Sequence, residues 1–179
     1  MNQFFKEIQH INNVEDAINK LKTLIDISPK LYEIINFIIE AHEGQFRKSG
    51  EPYCVHPILV ACVTASFSKD EAVIATALLH DVVEDTSYTL DFVKDKWGSD
   101  IAHMVDGLTK IVEIREHEFV TPKDATNSKI ISSALTFRKM LIASIDDARV
   151  LIVKLCDRLH NMLTLSVLPD HKQRRIAEE

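Results

Sequence analysis

Glycine and proline are scarce in this sequence, with four glycines and five prolines among 179 residues. Few positions are therefore marked as turns, and no stretch alternates apolar and polar residues as a half-buried strand does. Apolar residues recur instead at helical spacing. The pattern predicts an all-α protein, and a chain that is 46% hydrophobic can build one domain with a real core. We expect residues 1–179 to form this single domain.

Disulfide bonds and membrane spans also lack support in the sequence. The three cysteines form no CxxC pair, and their odd number does not suggest a disulfide framework, so we expect Cys54, Cys62 and Cys156 to be buried free thiols. No apolar run has the length of a membrane span, and the N-terminus lacks the basic start and apolar stretch of a signal peptide. These absences predict a cytoplasmic protein without a membrane partner.

Positive charge is in the minority, with 21 basic residues against 27 acidic ones and a net charge of -6. This balance argues against broad binding to nucleic acids or to anionic membranes, because both attract basic surfaces. A small anionic substrate stays compatible with it, since one site can be locally positive, especially around a metal ion.

Capping residues divide the chain into helices. Ser28-Pro29 has the N-cap and first-turn signature of a helix over 30–43, and Ser68 with Glu71 forms a capping box before a helix that runs to about residue 83. Further helices are predicted over 13–26, 57–67, 89–97, 99–106, 129–144 and 147–164.

Two segments have a different character from these helices. The polar, charged stretch 112–128 is predicted to be irregular and mobile. Residues 171–179 follow Pro169 with a helical pattern that has no glycine or closing turn. This ending predicts that the chain is a fragment of a longer protein.

The helices over 71–85 and 148–163 are apolar on all faces, which is typical of buried helices. Both nevertheless carry ionisable side chains, and a carboxylate in a core is paired, protonated or bound to metal. Asp157 alone is equally well explained by an ion pair with a lysine or arginine, and His80 alone by an ordinary core histidine. Near His80, however, three carboxylates fall within six residues, and their mutual repulsion favours a bound cation. These residues are Asp81, Glu84 and Asp85.

A His-Asp pair on a buried helix, with a histidine in an upstream loop and a later aspartate on a second buried helix, resembles the HD superfamily of metal-dependent phosphohydrolases. The resemblance implies that one divalent metal ion is bound by His56, His80, Asp81 and Asp157. A mixed set of imidazole and carboxylate ligands suits Mn, Fe, Zn or Mg without deciding among them.

Four ordered segments resemble the signatures of a narrower family, the hydrolase domain of RelA/SpoT-type alarmone enzymes. They are AHEGQFRKSGEPYCVHP (41–57), ATALLHDVVEDT (75–86), VDGLTKI (105–111) and VKLCDRLHNMLTL (153–165). The resemblance covers roughly residues 30–179. It implies removal of the 3′-pyrophosphate from ppGpp and pppGpp, Mn²⁺ as the cofactor, and synthetase and regulatory domains downstream in the full-length chain.

The same resemblance implies roles for the residues after the metal pair. Glu84 and Asp85 follow that pair by about one helical turn, and we expect them to position or activate the attacking water. The alternative is that one of them only orients a metal ligand.

The guanine nucleotide is expected to contact two parts of the chain. Arg47, Lys48 and Ser49 lie in the loop before the first metal ligand, and Arg47 is expected to stack on guanine. Asn161 and Thr164 share the helix face of the last ligand, and they are expected to contact the ribose and the phosphate region.

Several alternatives stay open at this point. Lys154 and Arg158 either bind substrate phosphate or pair with neighbouring carboxylates, and His42 and His160 are expected to be structural. The segment 112–135 departs from the family and leaves the substrate preference open. The competing functions are another HD phosphohydrolase, such as a nucleotidase or an NADPH 2′-phosphatase, and a regulatory domain that binds alarmone without hydrolysis.

Overall fold

A computed structural model describes residues 3–117, 147–165 and 173, with the backbone alone over 110–117. Within these ranges the protein is built from helices and contains no strand, as predicted, and none of the helices could span a membrane. The helices are α1 Gln3–His10, α2 Val14–Lys22, α3 Pro29–Ala41, α4 Val55–Phe67, α5 Glu71–Leu79, α6 Val82–Asp85, α7 Leu90–Trp97, α8 Ser99–His117 and α9 Ala148–Leu163.

Helices α4 and α5 form the centre of the fold. Every residue of α4 from Val55 to Ala65 is buried, and so is every residue of α5 from Val73 to Leu79. The two helices pack against each other, α2 and α9 cover α4, and α3 and α8 cover α5. An ionisable side chain at an end of either central helix therefore lies in or beside the core.

Side-chain caps explain where several helices begin. The Ser28 hydroxyl accepts a hydrogen bond from the Leu31 amide and Pro29 occupies the first turn, which confirms the predicted start of α3. Thr89 caps α7 in the same way. Gly98 ends α7 with a φ of 101°, a conformation that favours glycine.

The predicted capping box before α5 is wrong. Asp70 is the N-cap, since its carboxylate accepts from the Ala72 amide, whereas the Ser68 hydroxyl accepts from the Asp70 amide. Aspartate is as good an N-cap as serine, and Asp70 lies next to the first helical residue. The helix also ends at Leu79 instead of near residue 83, so that a turn at His80 and Asp81 separates α5 from α6.

Helix α8 is longer than predicted, because it continues through Gly107 to His117. The predicted irregular stretch is therefore wrong for 112–117. Gly107 packs on α9, where a Cβ atom would come within 3.1 Å of a Val150 methyl group. Its lack of a side chain allows this helix contact and does not end the helix.

Smaller boundary differences remain: α2 ends at Lys22, and α4 begins at Val55. The three cysteines are free and buried, as expected. The rest of 112–135, the helix predicted over 129–144 and the ending over 171–179, except residue 173, lie outside the described residues.

Candidate active site

Three elements bring the predicted metal ligands together. His56 lies in the first turn of α4, His80 and Asp81 form the turn between α5 and α6, and Asp157 lies within α9. One ligand atom each from His56, His80 and Asp157 can be chosen so that the three lie within 4.8 Å of one another. The His56 Nε2 atom is 3.3 Å from Asp157 Oδ1, and the His80 Nε2 atom is 3.7 Å from the same oxygen.

Asp81 borders this cluster through both of its carboxylate oxygens. Its Oδ1 atom is 3.1 Å from His80 Nε2, and its Oδ2 atom is 3.6 Å from His56 Nε2. The four side chains predicted from the HD pattern are thus neighbours. Their role as ligands stays a prediction.

The hydrogen bonding of His80 indicates whether its second ring nitrogen is available to a metal ion. The Nδ1 atom of His80 lies 2.8 Å from the Ala77 carbonyl oxygen, so the ring proton is on Nδ1. In the neutral ring, the Nε2 atom then has only a lone pair, is buried without a hydrogen-bond partner, and faces the carboxylates of Asp81 and Asp157. Lone pairs and anions that face one another in a core need a cation, so the residues fit a divalent metal ion.

The electrostatics of the cluster support the same conclusion. Burial opposes the charged form, yet the carboxylates of Asp81 and Asp157 raise the pKa of His80 well above its ordinary value. Against the same effect of burial, the two histidines hold the pKa of each carboxylate well below its usual range. The cluster thus attracts a positive charge, which a metal ion supplies when it binds.

His160 contacts a predicted ligand directly. Its Nδ1 atom lies 2.9 Å from the Nδ1 atom of His56, and both rings are buried. Burial lowers the pKa of His160 well below its ordinary value, with His56 and Arg47 as further causes, so this ring is neutral. The expected structural role of His160 stays a prediction. If His56 donates to His160 from Nδ1, the Nε2 atom of His56 is free to bind a metal ion.

Tyr53 is a site residue that the sequence reasoning missed. Its hydroxyl oxygen lies 2.8 Å from Asp81 Oδ2 and 2.7 Å from Asp85 Oδ2. Burial, together with the two carboxylates, raises the pKa of Tyr53 far above its ordinary value, so the hydroxyl stays protonated. Only its place in the 41–57 segment, three residues before His56, signals the site in the sequence.

Glu84 and Asp85 lie on α6 at the exposed edge of the cluster. Desolvation of its carboxyl group raises the pKa of Glu84 to about 7, and Lys154 opposes this rise while Asp81 adds to it. Glu84 can therefore accept and return a proton near neutral pH. Asp85 has two hydrogen-bond partners. The Tyr53 hydroxyl contacts its carboxylate, and the side-chain amide of Gln45 donates to its backbone carbonyl oxygen.

Lys154 favours one of the two interpretations left open above. Its Nζ atom lies 3.3 Å from Asp157 Oδ2, so this lysine pairs with a carboxylate of the site. The positive charge of Lys154 also lowers the pKa of Glu84, against the larger effect of desolvation.

Arg47 reaches the cluster from the loop before α4. Its Nη2 atom donates to Asn161 Oδ1 at 2.7 Å, and Asn161 Nδ2 donates to Asp157 Oδ1 at 2.7 Å. The other terminal nitrogen of Arg47 is buried without a hydrogen-bond partner. Two predicted substrate contacts therefore meet beside a predicted metal ligand.

The remaining predicted substrate contacts lie further out. Lys48 and Ser49 are exposed in the turn between Arg47 and Gly50, and the Ser49 hydroxyl donates to Glu51 at 2.7 Å. The Thr164 hydroxyl bonds back to the carbonyl oxygens of His160 and Asn161 at the end of α9. Contacts of these three residues with a nucleotide stay predictions.

Comparison with known proteins matches residues 35–179 to the family model described as HD domain. A protein of Haemophilus influenzae named guanosine-3′,5′-bis(diphosphate) 3′-pyrophosphohydrolase is 45% identical over 140 residues, which are 78% of this chain and 19% of that protein. A Myxococcus xanthus protein named GTP pyrophosphokinase is 44% identical over 155 residues, which are 87% of this chain and 19% of that protein. The chain thus spans about a fifth of the length of these relatives.

A solved structure has a similar fold. It is described as a metazoan ortholog of SpoT that hydrolyses ppGpp, and it superimposes with a TM-score of 0.63 at 23% identity. The match covers 86% of this chain and 85% of that one. At this identity the likeness supports the helical fold alone.

Proposed function

The chain belongs to the HD-domain family, and on that premise we propose that this domain hydrolyses the 3′-pyrophosphate of the guanosine alarmones ppGpp and pppGpp. The observation that carries the proposal is the buried set of His56, His80 and Asp157 beside the acidic helix α6. A metal-binding cluster with a carboxyl group of pKa about 7 next to it suits hydrolysis of a phosphate ester.

The names of the relatives support the choice of substrate. The relatives from Haemophilus influenzae and Escherichia coli, 45% and 44% identical, are named as ppGpp hydrolases, the second as a bifunctional synthase/hydrolase. All are much longer than this chain, so the proposal concerns the hydrolase reaction of this domain. We propose that synthetase and regulatory domains accompany it in the full-length protein.

His56, His80, Asp81 and Asp157 are proposed to hold one metal ion, and Mn²⁺ is the proposed metal. HD domains are metal-dependent, and a mixture of imidazole and carboxylate ligands suits this metal. When bound, such an ion polarises a phosphoryl oxygen and lowers the pKa of a bound water. Lys154 adds a second positive charge at the cluster.

Glu84 and Asp85 are proposed to handle the water. With a pKa of about 7, the Glu84 carboxyl group can accept the proton of the attacking water near neutral pH. The water oxygen bonds to the phosphorus that carries the ribose 3′-oxygen, and the bond from that phosphorus to the 3′-oxygen breaks. The 3′-oxygen takes up a proton, and the products are pyrophosphate and GDP or GTP.

The nucleotide is proposed to bind between the loop before α4 and the end of α9. Arg47 offers a planar guanidinium for stacking on guanine, and its hydrogen bond to Asn161 orients it. Lys48 and Ser49 on the loop, with Asn161 and Thr164 on α9, are proposed as the further contacts.

The test is a turnover assay of the protein with ppGpp, in which pyrophosphate and GDP are quantified with Mn²⁺, Mg²⁺, Zn²⁺ or a chelator. We expect both products in equal amounts with Mn²⁺ and none with the chelator. Asp81→Asn is expected to abolish turnover, and Glu71→Gln, at the exposed start of α5, is the matched control.

Deoxynucleoside monophosphates and NADPH are assayed beside ppGpp. Preferred turnover of either would replace the proposed substrate by that of another HD phosphohydrolase. Tight binding of ppGpp by folded, metal-loaded protein that never turns it over would instead assign the domain a regulatory role.

A further inference from the structure

The hydroxyl group of Tyr53 contacts two carboxylates with different proposed roles. Asp81 is a proposed metal ligand, and Asp85 belongs to the pair that is proposed to handle the water. The hydroxyl oxygen is 2.8 Å from Asp81 Oδ2 and 2.7 Å from Asp85 Oδ2. A hydroxyl group has one proton, so at any moment it donates to one carboxylate and faces the other with a lone pair. The carboxylate that faces the lone pair receives no hydrogen bond from Tyr53. Its negative charge must therefore be compensated by a positive charge nearby.

Asp81 is the carboxylate that has such compensation. Both of its oxygens also face the histidine cluster, at 3.1 Å from His80 Nε2 and 3.6 Å from His56 Nε2. Asp85 lies at the exposed edge of the site, on the far side of the Tyr53 hydroxyl from these contacts between Asp81 and the histidines. A positive charge in the cluster therefore compensates Asp81 and leaves the tyrosine proton to Asp85.

The ring of Tyr53 is held in place independently of its hydroxyl group. It stacks on His42 with ring centroids 4.9 Å apart, and the Tyr53 amide donates to the Gln45 carbonyl. The Gln45 side chain links His42, on which Tyr53 stacks, to Asp85, which the Tyr53 hydroxyl contacts. It lies 2.8 Å from His42 Nδ1 and donates to the Asp85 carbonyl oxygen at 2.9 Å. Removal of the hydroxyl alone should leave this packing intact.

We propose that Tyr53 is a positioning residue that orients the carboxylate of Asp85 for the reaction when the metal ion compensates Asp81. The inference rests on the proposed function. It adds a link between the metal cluster and α6: Tyr53 donates to Asp85 in the metal-bound protein, and the Gln45 amide fixes the backbone of the same residue. In this way occupation of the metal site and orientation of the acidic pair occur together.

The test compares Tyr53→Phe with the parent protein. We expect kcat for ppGpp to fall about 10- to 100-fold, a range found when groups that orient metal-site residues are removed, while KM changes less than about threefold. Mn²⁺ affinity, measured by calorimetry without substrate, should stay within about threefold, because in the metal-bound protein the Tyr53 hydroxyl is proposed to donate to Asp85 and not to the ligand Asp81. Tyr88→Phe is the matched control, since it removes a hydroxyl from a ring that packs on Phe37 and Phe92.

A double-mutant cycle separates positioning from a general structural effect. In an Asp85→Asn background, Tyr53→Phe should lower the residual kcat by less than about threefold, because the carboxylate that it orients is gone. An equal loss in both backgrounds would overturn the proposal, as would an unchanged kcat of Tyr53→Phe. Loss of Mn²⁺ affinity in step with kcat would assign Tyr53 to the metal ligands instead.

Failure of this inference can be told from failure of the proposed function. If the parent protein does not hydrolyse ppGpp, the proposed function fails. A crystal structure of the parent with Mn²⁺ tests Tyr53 without any variant or substrate. We expect the Tyr53 oxygen within hydrogen-bond distance of Asp85, and a separation beyond about 3.5 Å would overturn the proposal.

Discussion

The Nδ1 atoms of His56 and His160 lie 2.9 Å apart, and one proton joins them. If His56 binds a metal ion through Nε2, its proton must be on Nδ1, which donates to His160. The proton of His160 is then on Nε2, an atom that is buried without a hydrogen-bond partner. In that arrangement the second histidine holds the first in the tautomer that can bind metal, and the N–H group of the second has no hydrogen-bond partner.

Replacement of His160 by alanine is expected to weaken Mn²⁺ binding by about 10- to 100-fold, because the His56 N–H group loses its acceptor. Calorimetric titration at constant pH measures the change. His103→Ala, at an exposed position of α8, should bind Mn²⁺ as the parent does. His160→Gln retains a hydrogen-bond acceptor and should recover part of the affinity. Equal affinity of His160→Ala and the parent would contradict the tautomer argument.

Glu84 is expected to give the hydrolysis rate a dependence on pH near neutrality. Desolvation raises the pKa of its carboxyl to about 7, and a base acts only when deprotonated, so kcat should rise with pH through this region. Glu84→Gln should lower kcat by about 10²- to 10⁴-fold and abolish this rise, with KM nearly unchanged.

The measurement is a profile of kcat from pH 5.5 to 9 for the parent, for Glu84→Gln and for the control Glu71→Gln. The control should follow the parent curve. A rise that persists in Glu84→Gln would show that another group titrates, and Asp85 would then be the candidate base.

Much of the candidate site could be predicted because its signals are local. A Ser-Pro pair marks the start of α3, and ionisable residues on apolar helices mark His80, Asp81 and Asp157. The charge argument could not select His56 among eight histidines, since the sequence placed it in a loop before the helix, and the burial of such a residue depends on the assembled fold. For that position the resemblance to a known family was needed.

The features that the sequence did not predict depend on contacts between distant segments. Tyr53 meets Asp81 across 28 positions of the chain, and no periodicity encodes that contact. The helix predicted over 99–106 stops before Gly107, whereas the small size of this residue serves the packing of α8 on Val150. The exposure of Leu155 and Met162 on α9, which the apolar pattern did not predict, likewise depends on which faces its neighbours cover.

The packing of Gly107 on Val150 makes a prediction about stability. Gly107→Leu is expected to lower the free energy of unfolding by about 1–3 kcal/mol, because the new side chain must displace a buried, stiff valine. Urea unfolding of the single and double variants measures this. In a Val150→Ala background the same change should cost at least about 0.5 kcal/mol less, since the methyl groups it meets are gone. Additive effects would contradict a direct contact.

Arg149 links the starts of two helices and should contribute stability that acid removes. Its guanidinium binds Asp100 on α8 with two hydrogen bonds of 2.6 and 3.0 Å, and it also binds Asp147, the N-cap of α9. Hydrogen bonds from Arg149 lower the pKa of both carboxylates. A carboxylate with a lowered pKa stabilises the fold above its unfolded pKa, and this contribution is lost as the pH falls through the folded value.

Arg149→Met is therefore expected to cost about 0.5–1 kcal/mol at pH 7, as exposed ion pairs do, and progressively less between about pH 5 and pH 3. Urea unfolding at several pH values measures the difference from the parent. Lys94→Met, on the exposed surface of α7, is the control. A difference that is the same at every pH would assign the effect to lost packing of the arginine stem.

The hydrogen bond from Arg47 to Asn161 predicts how the nucleotide is held. Arg47→Lys removes the planar group and its 2.7 Å contact with Asn161, so we expect KM for ppGpp to rise about 3- to 30-fold, the equivalent of about 0.6–2 kcal/mol of lost stacking. The kcat value should change less than about threefold, because the lost interaction is made equally in the ground state and the transition state.

Steady-state kinetics with saturating Mn²⁺ test this, and Arg149→Lys makes the same substitution outside the proposed site. Asn161→Ala should raise KM as well, since Arg47 then lacks the acceptor that orients it. A fall in kcat at constant KM in Arg47→Lys would contradict a role in nucleotide binding. It would instead connect Arg47, through Asn161 and Asp157, to the metal cluster.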